Sequence, residues 1–140
     1  MSALEKVNRL LKSGKGFYKI LDKVQVISTK NGYCKAEVKI DQEHTNPMGG
    51  LHGGFSATLI DAISIASLRT IVDDNMMHLS KEMNLIYTKA ARVGDEIIIE
   101  GKTIKRGDEI FHLEAEVKNK KTGDLLVRGT QIVYLKPKNL

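Results

Sequence analysis

Hydrophobic positions along this 140-residue chain recur at changing intervals, and each interval predicts an element. In residues 2–13, SALEKVNRLLKS, Leu4, Val7, Leu10 and Leu11 fall at helical spacing behind Ser2, a residue suited to capping. They predict an amphipathic N-terminal helix, within residues 1–15, packed on the edge of the domain. After VQVIST, the tetrapeptide Lys30-Asn31-Gly32-Tyr33 is a two-residue hairpin signal, since Asn-Gly suits the positive φ angles of a type I′ turn. In the next strand Cys34, Ala36, Val38 and Ile40 alternate with Lys35, Glu37, Lys39 and Asp41, the pattern of a half-buried antiparallel strand. Residues 42–50 read as an irregular loop. From about Leu51 to Val72 comes one long helix, whose stretch Gly53 to Leu68 carries a single formal charge, Asp61. A helix apolar nearly all round is buried, here wrapped by the sheet.

Four β-branched segments follow, at 79–88, 95–105, 109–119 and 124–135, separated by Gly94-Asp95, Arg106-Gly107-Asp108 and Thr122-Gly123-Asp124. They predict a four-strand meander. Strands grouped rather than alternating with helices indicate an α+β class, an antiparallel sheet around one central helix. No repeat, low-complexity tract or linker interrupts the chain, so residues 1–140 are expected to form one domain.

Composition narrows the function classes. No apolar run of about 18 residues suits a membrane span, and the N-terminus lacks the apolar block of a secretory signal. The single cysteine, Cys34, has no internal disulfide partner and reads as a small buried hydrophobe. These features point to a reducing compartment, cytoplasm or mitochondrion. The net charge of +5 fits a solvated surface or attraction to a phosphate-bearing partner. Scarce aromatics and the lack of a dense Lys/Arg stripe argue against a nucleic-acid-binding domain.

Asp61 is the first candidate for chemistry, because an ionised carboxylate in an apolar segment is costly unless paired or hydrogen-bonded. It is either a general base or nucleophile in a cleft, or a helix residue facing water or a neighbour such as Thr58 or Ser64. His52-Gly53-Gly54 opens the same helix, where backbone N–H groups lack partners and glycine lets an oxygen approach closely. Asn46, just before it, could add its side-chain amide or simply start the Asn-Pro turn. Ser80 lies near a strand start. His44, His78 and His112 are scattered without metal-ligand spacing.

Together these residues read Asn46-x-x-Gly49-x-x-His52-Gly53-Gly54-x6-Asp61, then Ser80 in the next strand. With the segments QEHTN, LHGG, LSKEMNLIYT, VGDEIIIEG and NKKTGDLLVRG, the chain resembles the hotdog-fold acyl-coenzyme A thioesterases of the thioesterase superfamily member 2 type. The resemblance runs from about Val24 to Val133. It implies a hotdog fold, with about six antiparallel strands around one long helix. It also implies hydrolysis of medium- to long-chain acyl-coenzyme A without a cofactor, coenzyme A being part of the substrate. By the same resemblance, Gly53 N–H and Asn46 polarise the thioester carbonyl, Asp61 and Ser80 activate water, and His52 acts near the sulfur or positions the loop.

Gly53 and Asp61 lie about 12 Å apart along a helix rising about 1.5 Å per residue, too far for one helix to supply both to one carbonyl. Two antiparallel copies related by a two-fold axis near Ala57 would bring them together, and the small Gly54, Ser56 and Ala57 suit close approach. A homodimer with shared sites is therefore expected, and the resemblance adds pairing of dimers into tetramers. The alternatives are a non-catalytic acyl-coenzyme A binder on the same fold, or a dehydratase or hydratase, whose motif is spaced differently. Lys105, Arg106, Lys120 and Lys121, at predicted hairpin tips, are candidates to meet nucleotide phosphates.

Overall fold

The first helix, α1 (Ala3–Leu11), opens on a reciprocal cap in which Ser2 Oγ accepts from Glu5 N–H and Glu5 accepts from Ser2 N–H. The computed structural model describes residues 2–12 and 15–138; Ser13, the last residue of the predicted helical segment, lies outside them. Val7 and Leu11 are buried, whereas Leu10 is 37% exposed and borders a cavity described below.

A 3-10 helix, Gly16–Leu21, leads to β1 (Gln25–Lys30), which pairs with β2 (Tyr33–Lys39) across the Asn31-Gly32 turn. The turn is not type I′, because Gly32 has positive φ and Asn31 does not. Tertiary bonds set its shape: Gly32 N–H donates to Thr70 Oγ1 at 2.8 Å, and Gly32 C=O accepts from Thr103 N–H at 2.9 Å. Cys34, Ala36, Val38 and Ile40 are buried as their alternation predicts. Burial pushes the Cys34 thiol pKa up to about 12, so it packs as an inert hydrophobe.

The long helix, α2 (Gly53–Arg69), is shorter than its hydrophobic pattern at both ends. Leu51 is taken into a β-bridge with Thr45 and its N–H donates to Ala91 C=O, leaving His52 as the cap. At the far end Thr70 and Ile71 N–H groups turn back onto Ser67 and Leu68 carbonyls, closing the last turn before Val72.

The remaining strands are β3 (Met76–Tyr87), β4 (Glu96–Lys105), β5 (Ile110–Asn119) and β6 (Leu125–Pro137), all antiparallel to their neighbours in the order β1-β2-β4-β5-β6-β3. The predicted four-strand meander is therefore wrong in one strand. Only β4, β5 and β6 form a meander. After α2 crosses the sheet, β3 emerges on the far edge beside β6, and the chain returns to place β4 against β2. Sequence adjacency favours pairing but does not choose the edge.

α2 packs on β2, β4, β5 and β6, and two glycines permit the close approach. A Cβ on Gly101 would lie 2.4 Å from the Ile63 carbonyl oxygen, and one on Gly129 2.4 Å from Ile60 Cγ2. Leu59, Ile60 and Ile63 fill one part of the core, while Ile65 and Leu68 join Phe111, Leu113, Val133 and Leu135 in another.

One stripe of α2 escapes the sheet. Gly53, Ala57 and Asp61, four residues apart, and the neighbouring Gly54 and Thr58, are exposed or half-buried. Ser56, expected on this stripe, is only 1% exposed. It precedes the buried Leu59 and Ile60 by three and four residues, so it shares the side of the helix that they turn to the core. Beside the stripe, β3 is an edge strand exposed throughout except at Met76, His78 and Leu85, with Met77, Leu79, Met83, Ile86 and Tyr87 among its uncovered side chains.

Candidate active site

The start of α2 is shaped by its cap. His52 Nδ1 accepts from Gly54 N–H at 2.8 Å and from Phe55 N–H at 3.3 Å, while Ser56 N–H donates to His52 C=O. An imidazole nitrogen that accepts carries no proton, so the neutral ring holds its hydrogen on Nε2, facing outward. Among the described residues, Gly53 N–H is the one amide of this first turn without an acceptor. Tyr87 Oη–H donates to Gly53 C=O at 2.9 Å and pins the glycine from β3.

Asn46 closes its own loop through one end of its side-chain amide. Its Oδ1 accepts from Met48 N–H at 3.0 Å and Gly50 N–H at 3.2 Å, which makes the turn. With the oxygen so occupied, the Nδ2 group is left as a donor. Arg92 Nη1 donates to Met48 C=O and braces the loop. His44 anchors it from below: fully buried, it stacks on Phe55 with ring centroids 4.3 Å apart and accepts Asp41 N–H at Nδ1. Burial lowers the His44 pKa, helped by Lys23 and opposed by the nearby acids Glu43, Asp41 and Asp22.

Further along the stripe, Asp61 belongs to a side-chain network whose centre is Gln131, a residue that sequence reasoning missed. Gln131 is 2% exposed. Its Nε2 donates to Asp61 Oδ1 at 3.2 Å and to Ser64 Oγ at 2.6 Å, and its Oε1 accepts from Ser80 Oγ at 2.8 Å. A carboxylate only accepts, so Asp61 fixes which way the amide faces, and Ser80 must then be the donor to Oε1. Ser80 has spent its one hydrogen and presents lone pairs. Asp61 keeps Oδ2 free of partners among the described residues. Thr58 and Ser64 do not hold the carboxylate: Thr58 donates to Gly54 C=O and Ser64 to Asp61 C=O. A signal for Gln131 was present, because inward positions Val127, Gly129, Val133 and Leu135 of β6 alternate around it.

The chain thus gathers Asn46, His52 and Gly53 at one end of the stripe, and Asp61 and Ser80 at the other. Helix rise keeps the two groups about 12 Å apart. Of the hairpin-tip cations, Lys120 is committed to Glu37 at 3.2 Å and Glu96 at 3.6 Å.

Residues 48–126, which include His52, Gly53, Asp61 and Ser80, match the family model of the thioesterase superfamily. The chain belongs to that superfamily. It is 32% identical over 133 residues to human acyl-coenzyme A thioesterase 13, covering 95% of this chain and 94% of the relative. Among solved structures, zebrafish thioesterase superfamily member 2 is similar with a TM-score of 0.90 at 31% identity, covering 97% of this chain and all of that one. The mouse member 2 structure gives 0.85 at 31%, covering 99% and 98%. The six-stranded antiparallel sheet around α2 is accordingly a hotdog fold. No helix among the described residues is long and apolar enough to cross a membrane.

Proposed function

We propose that this protein hydrolyses acyl-coenzyme A thioesters, with acyl chains of medium to long length, in sites shared by two antiparallel copies of α2. In each site Gly53 N–H and Asn46 Nδ2 of one chain receive the thioester oxygen, and Asp61 and Ser80 of the other face its carbon. The observation that carries this reading is the pairing of unspent groups on one bare stripe: a free amide at Gly53 and an oriented carboxylate at Asp61.

The chemistry follows from those groups. A water gives one hydrogen bond to Asp61 Oδ2 and the other to the lone pairs of Ser80, which aims its own lone pair at the carbonyl carbon. As the C–O bond forms, Asp61 takes the water proton and the carbonyl oxygen becomes an oxyanion held by Gly53 N–H and Asn46 Nδ2. Collapse breaks the C–S bond, and the proton returns to the coenzyme A sulfur, assisted by His52 Nε2–H at the helix start. Acid and thiol are the products, and the balance requires no cofactor.

Two features support the dimer. The stripe of Gly53, Gly54, Ala57, Thr58 and Asp61 is uncovered within one chain, and the adjoining β3 is a long apolar edge of the kind that invites pairing. The test is a chain-length series of acyl-coenzyme A esters with free thiol as the readout, run on the wild type and Asp61→Ala. Turnover by the wild type and near-complete loss in a folded Asp61→Ala protein are expected. Tight binding without turnover in the wild type would instead mark a non-catalytic binder.

A further inference from the structure

Beyond the C-terminal end of α2 lies a cavity of about 560 Å³ that the mechanism above does not use. Lys6 and Arg9 of α1, Arg69 of α2, and Lys138 supply its cations, against the single carboxylate of Asp74. Lys6 pairs with that carboxylate. Arg69 has no carboxylate partner among the described residues, although it is half-buried. Its Nη1 donates to Met76 C=O and its Nη2 to His78 Nδ1, both at 2.9 Å. A guanidinium has five N–H donors and accepts nothing, so donors remain, and His78, accepting at Nδ1, keeps its own hydrogen on Nε2. Burial holds the pKa of both groups below their ordinary values; Asp74 pulls that of Arg69 back, and Arg69 lowers that of His78 further against a pull from Asp61. Four cations against one carboxylate, which Lys6 already engages, leave an excess of positive charge and unspent donors on Arg69 and His78, which suits a further anion.

The cavity is lined from the same helix and the same strand that carry the proposed reaction centre. His78 stands two residues before Ser80 on the same face of β3, about 7 Å away. Arg69 follows Asp61 by eight residues, about 12 Å down the helix. An extended pantetheine arm carries the coenzyme A phosphates farther than this from the thioester, whereas an acyl tail of medium length ends here. Val7 and Leu10 give the cavity an apolar wall for methylenes.

We propose that this cavity is an acyl-end subsite that takes a carboxylate, so that the preferred substrates are coenzyme A thioesters of dicarboxylic acids. The proposal rests on the thioesterase reading, and its test separates the two. Non-hydrolysable thioether analogues of coenzyme A, ending in a carboxylate or in a methyl group at matched length, are titrated calorimetrically into the wild type. The carboxylate-tailed analogue is expected to bind about 10- to 100-fold tighter, as suits hydrogen bonds to a charged group. Arg69→Met collapses that difference, and Arg69→Lys retains part of it. Equal or weaker binding of the carboxylate tail by the wild type overturns the proposal without recourse to a variant. So does an Arg69→Met protein that weakens free coenzyme A as much as the tailed analogue, since the cavity would then hold phosphates. Turnover of the matching thioesters is measured separately. A tail preference in binding without any hydrolysis would leave the subsite standing and remove the thioesterase reading.

Discussion

At the Gly53 end of α2, the bonds that cap the helix and close the loop are short in sequence: His52 caps its own helix, Asn46 closes its own turn, and His44 stacks on Phe55, with Tyr87 and Arg92 bracing them from farther along the chain. At the Asp61 end the carboxylate is aimed by Gln131, 70 residues later, which also holds Ser80 from the edge strand. One end is backbone shaped by neighbours, and the other is a side-chain network assembled by the sheet. The amide end should therefore couple function to local stability. The carboxylate end should carry function at little benefit to stability, or at a cost, as strained catalytic groups often do.

Mutations sharpen that contrast in descending order. Asp61→Ala should lower kcat by about 10³-fold or more while the melting temperature holds or rises, as loss of a general base allows. Asn46→Ala should cost about 10²-fold in kcat/KM through the lost oxyanion donor, with destabilisation as its turn loosens. Gln131→Leu should cost about tenfold in kcat with little change in KM, since the carboxylate and hydroxyl remain but lose their aim. His52→Ala should cost about 1 kcal/mol of unfolding free energy by removing the cap, and equal stability in that variant would break the contrast. Denaturant melts and steady-state kinetics on the same preparations check all four.

The smallest effect concerns pH. The folded-state pKa values of His44 and His78 both lie below the ordinary 6.5 because burial disfavours the charged ring. Below about pH 6.5 the unfolded chain binds protons that the folded chain refuses, so stability should fall as pH drops through that window. It should be flat with respect to these two groups above it. Melts between about pH 5 and about pH 8 measure the slope, and His44→Phe should flatten part of it.

Much of this was legible in the chain, for identifiable reasons. The alternation of Cys34, Ala36, Val38 and Ile40 encodes a face directly, and the Gly53–Asp61 interval encodes a distance because helix rise is constant. The helix ends were not legible, since Leu51 leaves the helix for a bridge with Thr45 and hydrophobicity records only that it is buried. The edge chosen by β3 was equally hidden: a strand pattern names a face and not a neighbour. Ser56 is as small as its neighbours on the stripe, but helical angle and not size decides its face, and that angle buries it. The alternation of β6 marks Gln131 as inward, but its partners lie on α2 and β3, which no local pattern joins to β6.

The claim that the Gly53 end of one chain works with the Asp61 end of another is tested most directly by mixing two inactive variants. Asn46→Ala and Asp61→Ala chains, each nearly inactive alone, are unfolded together and refolded as a mixture. Random pairing should restore about one quarter of wild-type turnover, because half the dimers are mixed and each mixed dimer has one intact site of its two. A refolded mixture no more active than its two components would contradict the shared site.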